Sequence, residues 1–140
     1  MAVHSGGLPT ALAPVSVAAT GAITSNGGGM GYATGAGGTV TQATSKATTV
    51  VLNKLSGQIT LNGAALAAAT VVSFTFTNSN IAAGDLLVLN HVATGTFGVY
   101  GLNAHGAGAG TITVDVRNNS AGSLSEAIVI GFAVQKAVTA

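Results

Sequence analysis

The sequence predicts an all-β fold: an antiparallel β-sandwich of about eight strands, jelly-roll-like, preceded by a flexible N-terminal arm. Three observations carry this. From Thr39 onward apolar and polar residues alternate with a period of two. Clusters of Gly, Asn and Ser interrupt that alternation at short intervals. Only Ala64 to Ala69 offers even a turn of helix. A period of two is the mark of a half-buried strand, and close punctuation by turn residues is the mark of a sandwich.

Taken in order, strands are expected near residues 39–44, 47–53, 57–62, 70–77, 85–92, 96–102, 110–117 and 126–136. The alternation is clearest in two of them. Val72, Phe74 and Phe76 face opposite to Ser73, Thr75 and Thr77, and Ile112, Val114 and Val116 opposite to Thr113, Asp115 and Arg117. Asp115 and Arg117 therefore share an outer face. Asn62-Gly63 reads as a hairpin turn. Ser56-Gly57, Asn78-Ser79-Asn80 and Asn118 to Gly122 read as further turns, and His105 to Gly110 as a flexible loop. Ser123-Leu124-Ser125-Glu126 fits a helix capping box, but the run behind it, Ala127 to Val134, is β-branched with a central Gly and fits a buried strand better. Both faces of that strand are apolar. Its second face is expected to be covered by the other sheet's edge, the arm or a neighbouring subunit.

Residues 1–37 differ from residues 38–140. Gly27, Gly28, Gly29, Gly31, Gly35 and Gly37 crowd together, and such a segment has little apolar surface to offset its backbone entropy. Val3, Leu8, Leu12, Val15, Val17 and Ile23 suit an arm lying along a partner; plain disorder is the competing reading.

Charge sets the functional limits. The 140 residues include only four basic and three acidic side chains, 5% of the chain, against about a quarter in ordinary soluble domains. Acid–base, metal and phosphate chemistry all need titratable groups. A surface this poor in charge is instead easily covered by another protein, because little must be desolvated. The net charge of +1 provides no field for nucleic acid or anionic lipid. There is no cysteine, hence no disulfide framework and no thiol chemistry. A hydrophobic fraction of 48% hints at a membrane protein, yet the longest clean run, Ala127 to Val134, has the length of a strand. A membrane span needs about 20 apolar residues. With four Phe and two Tyr the aromatic girdles of a porin are missing too. The N-terminus does not read as a signal peptide: no Lys or Arg precedes its apolar part, and Pro9 and Pro14 interrupt it.

No constellation of residues announces a reaction. His4, His91 and His105 make no ligand pair, although a trimer axis could gather three copies of one of them. Asp85, Asp115 and Glu126 read as turn and surface residues rather than an opposed acid pair. Gly106 to Thr111 lacks the Lys of a phosphate loop and leads into a strand, and Gly27 to Gly31 has no strand–helix setting. Thr- and Asn-rich outer faces suit sugar hydroxyls, but Tyr32 and Tyr100 are the only tyrosines available as platforms. No catalytic, cofactor-binding or metal-ligating residue is assigned, and no cofactor is expected.

Several motifs in order resemble a recurrent module of small virion structural proteins in tailed bacteriophages. They are Gly37-Gly38-Thr39-Val40-Thr41-Gln42-Ala43-Thr44-Ser45-Lys46, Val50 to Lys54, Gly57 to Thr60, Val72 to Ser79, Val116 to Ala127 and Phe132 to Ala137. The resemblance spans roughly residues 37–138 and brings no catalytic motif with it. It implies a non-enzymatic homotrimer on the outer surface of the phage head, made in the bacterial cytoplasm. Such a capsid decoration (cement) protein would bind the major capsid protein and stabilise the shell, without contacting nucleic acid or membrane. The alternative is a head-fibre or tail-fibre tip that touches host-surface glycans. The chain has no heptads or repeats of the kind that give fibres their length, and the compact sandwich with an apolar arm favours the first reading.

Overall fold

The alternation becomes eight strands in the computed structural model, which describes Thr20, Gly21 and residues 26–138. They are β1 (Thr39–Thr41), β2 (Val50–Val51), β3 (Ser56–Thr60), β4 (Val71–Thr77), β5 (Leu86–Ala93), β6 (Tyr100–Gly108), β7 (Thr111–Asn118) and β8 (Val129–Gln135). No helix occurs among the described residues. The strands form two four-stranded sheets, the first ordered β1-β3-β8-β5 and the second β2-β4-β7-β6. The fold is thus all-β and consistent with a β-sandwich.

The chain moves from one sheet to the other at every connection except β6–β7, the one hairpin. Two pairs, β1–β3 and β2–β4, run parallel and the other four antiparallel. The expected Asn62-Gly63 hairpin is corrected. Strands β3 and β4 lie in different sheets, so no two-residue turn can join them. Asn62 instead anchors a crossing loop: its Nδ2 donates to the Ala43 carbonyl and its Oδ1 accepts the Ala64 amide. The expected helical turn at 64–69 is a turn without helix, in which Leu66 bridges Leu124 and Ala69 takes φ 56°. The expected loop from His105 to Gly110 is mostly strand. β6 continues to Gly108, with a bulge between His105 and Gly108, and the turn proper is Ala109-Gly110.

Between the sheets lies the core that the alternation anticipates. Ile59, Ile130, Phe132 and Val134 come from the first sheet, and Phe74, Phe76, Ile112, Val114 and Val116 from the second. Phe76 and Phe132 meet edge to face across the gap with centroids 4.9 Å apart, an arrangement favoured by the ring quadrupoles. Loop residues Leu61, Leu66, Ile81 and Ile128 close the ends. Two fully buried asparagines hold the loops there. Asn118 donates to the carbonyls of Leu66, Ala67 and Gly122 and accepts from Ser120, while Asn78 donates to Lys54 and accepts from Asn80. Gly57 is required by a close approach: a Cβ there would lie 2.2 Å from the Gly38 carbonyl oxygen.

Residues Tyr32–Ala140 form one compact unit and Met1–Gly31 another. In the smaller unit the described residues are exposed and carry no regular secondary structure. The expected arm falls largely on residues 1–19 and 22–25, outside the described residues. Residues 32–37, which the sequence groups with the arm, belong to the sandwich unit. There the Tyr32 hydroxyl donates to the Val134 carbonyl, and the Ala36 carbonyl accepts from Ser56.

Candidate contact face

A sandwich hides one face of each sheet and leaves the other to be explained. On the outer face of the second sheet the alternation delivers Ser73, Thr75, Thr111, Thr113, Asp115, Arg117, Asn103 and His105, with the exposed Val71 and Val51 beside them. Asp115 and Arg117 share this face as expected, but they do not pair. Asp115 accepts from the Ser73 hydroxyl at 2.6 Å and lies 3.2 Å from His105 Nε2, while Arg117 Nε donates to Asn119.

The outer face of the first sheet is different. Its cross-strand rungs are Val88–Ala133–Ser56 and Asn90–Gly131–Gln58, with Leu86 and Gln135 at one end and Val92 and Val129 at the other. No charged side chain stands on any of these rungs. Leu86, Val88 and Val92 are exposed at 59%, 52% and 44%. All three belong to β5, which is an edge strand paired with β8 alone. Because Gly131 and Ala133 are small, the middle of the face is a shallow groove of about 360 Å³, walled by Val88, Asn90 and Val92 on one side and Ser56 and Gln58 on the other. Val92 leans over the floor so closely that a Cβ on Gly131 would sit 2.9 Å from it. β8 is therefore covered on its inner face and only half-covered on its outer one.

The titratable groups are occupied with holding loops. Asp85, buried, accepts the amides of Ala82 and Ala137 and pairs with Lys136. That ammonium, with the amides, holds the Asp85 carboxyl below the usual carboxylate range. Glu126 accepts from the Thr96 hydroxyl and amide and from the Tyr100 hydroxyl, and the Thr96 bonds hold its carboxyl low. Burial, then the bond to Glu126, pushes the Tyr100 phenol up. Lys46, which lies between β1 and β2, is only 3% exposed and donates to the carbonyls of Asn62 and Glu126. Its burial lowers the ammonium pKa, and the Glu126 charge opposes that shift.

Of the histidines, His4 lies outside the described residues. His105 sits in β6 and is not in a loop. His91 packs between Phe97 and Tyr100, its Nε2 within bonding distance of the Ala93 and Thr94 carbonyls and its buried Nδ1 without a partner. The loop after β5 is held tightly. Thr94 takes φ 56° and donates to the Ala127 carbonyl, and a Cβ on Gly95 (φ 70°) would lie 2.5 Å from Ile128. At its tip Phe97 is 62% exposed.

Asp85, Asp115 and Glu126 thus stand apart, each with its own partners, and among the described residues no three His, Asp or Glu side chains form a group that could hold a metal ion. No helix of the described residues is long and apolar enough to cross a membrane. The residues that sequence reasoning missed are Leu86, Val88, Asn90 and Val92. A signal existed: in Leu86 to Leu89 both alternating sets are apolar, as in β8. Comparison with known proteins returned no matching family, no matching curated protein and no matching solved structure.

Proposed function

We propose that this protein is a non-enzymatic structural component of a phage virion, a homotrimeric decoration protein that binds the major capsid protein and stabilises the head. One observation carries the reading. Each described carboxylate holds loops or a strand neighbour, while an uncharged apolar sheet face stands open to a partner. A protein built to react keeps perturbed groups in a cleft; this one uses them as fasteners and offers surface instead. The ordered virion-like motifs point the same way, and a jelly-roll-like kinship and a capsid-bound arm are parts of this proposal. The test is decoration itself. Purified protein mixed with undecorated heads should co-sediment with them and raise their resistance to heat. A chain lacking residues 1–31, which leaves the sandwich unit whole, should remain soluble but lose capsid binding. Absence of co-sedimentation by the full chain would overturn the reading.

A second reading, a fibre-tip module that touches neutral host glycans, is favoured by Phe97, an exposed aromatic flanked by Thr94 and Thr96 on a tightly held loop. Binding to host cells that Phe97→Ala abolishes, with none to capsids, would select it.

A further inference from the structure

We propose that the outer face of the first sheet is the surface through which copies of this chain associate, with β5 of each copy at the contact. This deepens the assembly reading above and rests on it. The face excludes several kinds of partner. Its side chains are Leu86, Val88, Asn90 and Val92 of β5, the small Gly131 and Ala133 with Val129 and Gln135 of β8, and the Ser, Gln and Thr residues that β3 and β1 add by register, none of them charged. A nucleic acid, an anionic lipid surface or a charged protein patch would find no counter-charge there. Nor is there an exposed aromatic platform for a sugar, since the one ring lining the groove, Phe132, is 5% exposed and turned to the core.

What remains is a neutral partner with aliphatic groups and paired hydrogen-bond donors and acceptors. This face is itself such a surface. Asn90 and Gln58 each carry a donor and an acceptor on one side chain, so three copies of either amide gathered about the three-fold axis of a homotrimer can each donate to the next. Like charges, the usual obstacle when a surface meets its own copy, are absent. The opposite outer face, with Asp115, Arg117 and His105, lacks that property.

The edge strand adds a second reason. Natural edge strands are blunted by Lys, Pro or inward-pointing charge. Leu86–Ala93 has none of these over its length, and only a register shift between His91 and Ala93 disturbs it. Three half-exposed aliphatic side chains on an edge guarded only by that shift are a standing liability for a chain that works alone. They are the expected composition of a surface that is covered in the working assembly.

The experiment uses the full-length chain. Wild type, Leu86→Lys/Val88→Lys and, on the opposite face, Thr75→Lys are compared by size-exclusion chromatography with light scattering over a concentration series. Wild type and Thr75→Lys should share one oligomeric mass, a multiple of 13.4 kDa, and the double variant should fall to a single chain. Circular dichroism reports whether the double variant is folded. Hydrogen–deuterium exchange on wild type needs no mutation: amides of Leu86–Ala93 should gain protection as concentration rises. A wild type that is monomeric at every concentration, a folded double variant that keeps the oligomeric mass, or protection confined to the second sheet would each overturn the proposal. Capsid binding by a monomeric wild type would remove this inference and leave the decoration reading standing. A self-associating chain that binds no capsid would do the reverse.

Discussion

The two sheets are nearly equivalent inward and unlike outward. Each presents a row of β-branched and aromatic residues to the common core, and the rows meet at Phe76 and Phe132. Outward, the second sheet carries Asp115, Arg117 and His105 among Thr and Ser, with Val51 and Val71 toward one side, whereas the first carries no charge and sets Leu86, Val88 and Val92 beside neutral Ser, Gln and Asn and the small Gly131 and Ala133. Folding needs only the inner rows. The difference between the outer rows is therefore free to record something other than stability; on the proposal above it records contact with protein. A solvated face has no reason to keep Leu86 and Val88 where Thr would serve equally well in a strand.

Four measurements would break or sharpen that contrast. The largest effect belongs to the shared interior. Phe132→Ala and Phe76→Ala should each lower unfolding free energy by about 3–5 kcal/mol in denaturant titrations. Unequal losses, with one below about 1 kcal/mol, would mean that the sheets are not equivalent inward after all. Next is the groove floor. Gly131→Val collides with Val92 and fills the groove, and should cost about 1–3 kcal/mol as an overpacked site. It should also weaken self-association; an unchanged oligomer would separate the groove from the contact.

The third concerns pH and the ends of the sandwich, which both sheets share. The Asp85 and Glu126 carboxyls titrate lower in the folded chain than in the unfolded one, so in that interval the unfolded chain binds more protons. Their stabilisation is complete above the unfolded values of about 4, and it is lost as pH falls through the lower folded values. Thermal midpoints should hold on the neutral side and drop in that acid window. Glu126→Gln should flatten part of the drop, and a midpoint that declines already near neutrality would contradict the assignment. The smallest effect is Asp115→Asn on the polar outer face. The exposed pair with His105 should be worth less than about 1 kcal/mol, with no change in oligomeric mass.

Much of this was legible in the sequence. Eight strands were readable in outline. Period-two alternation reports a buried face directly, and Val72 to Thr77 and Ile112 to Arg117 fall almost residue for residue into β4 and β7, whereas the strand expected at 96–102 shares only residues 100–102 with β6. The connections were not. Asn62-Gly63 carries the local chemistry of a hairpin, but which sheet a strand joins is decided by long-range packing, and that chemistry served a crossing loop instead. Lys46 was equally opaque. A lysine between short strands reads as solvated, and only the fold brings the Asn62 and Glu126 carbonyls to its ammonium. The contact face was half legible. Two-sided apolarity was plain in Ala127 to Val134 and present in Leu86 to Leu89, but that these two strands are neighbours and share an outer face is a fact of register.

The order in which the chain visits its sheets has a consequence for biosynthesis. Strand β8, the last in the chain, lies between β3 and β5 and supplies Gly131 and Ala133. Until residues 129–135 have left the ribosome, β3 and β5 have no common neighbour and the aliphatic face does not exist. Because nearly every pairing joins strands distant in sequence, folding should be slow and all-or-none. On the proposal above, a chain in which β8 is not yet paired with β3 and β5 lacks the surface through which copies would associate.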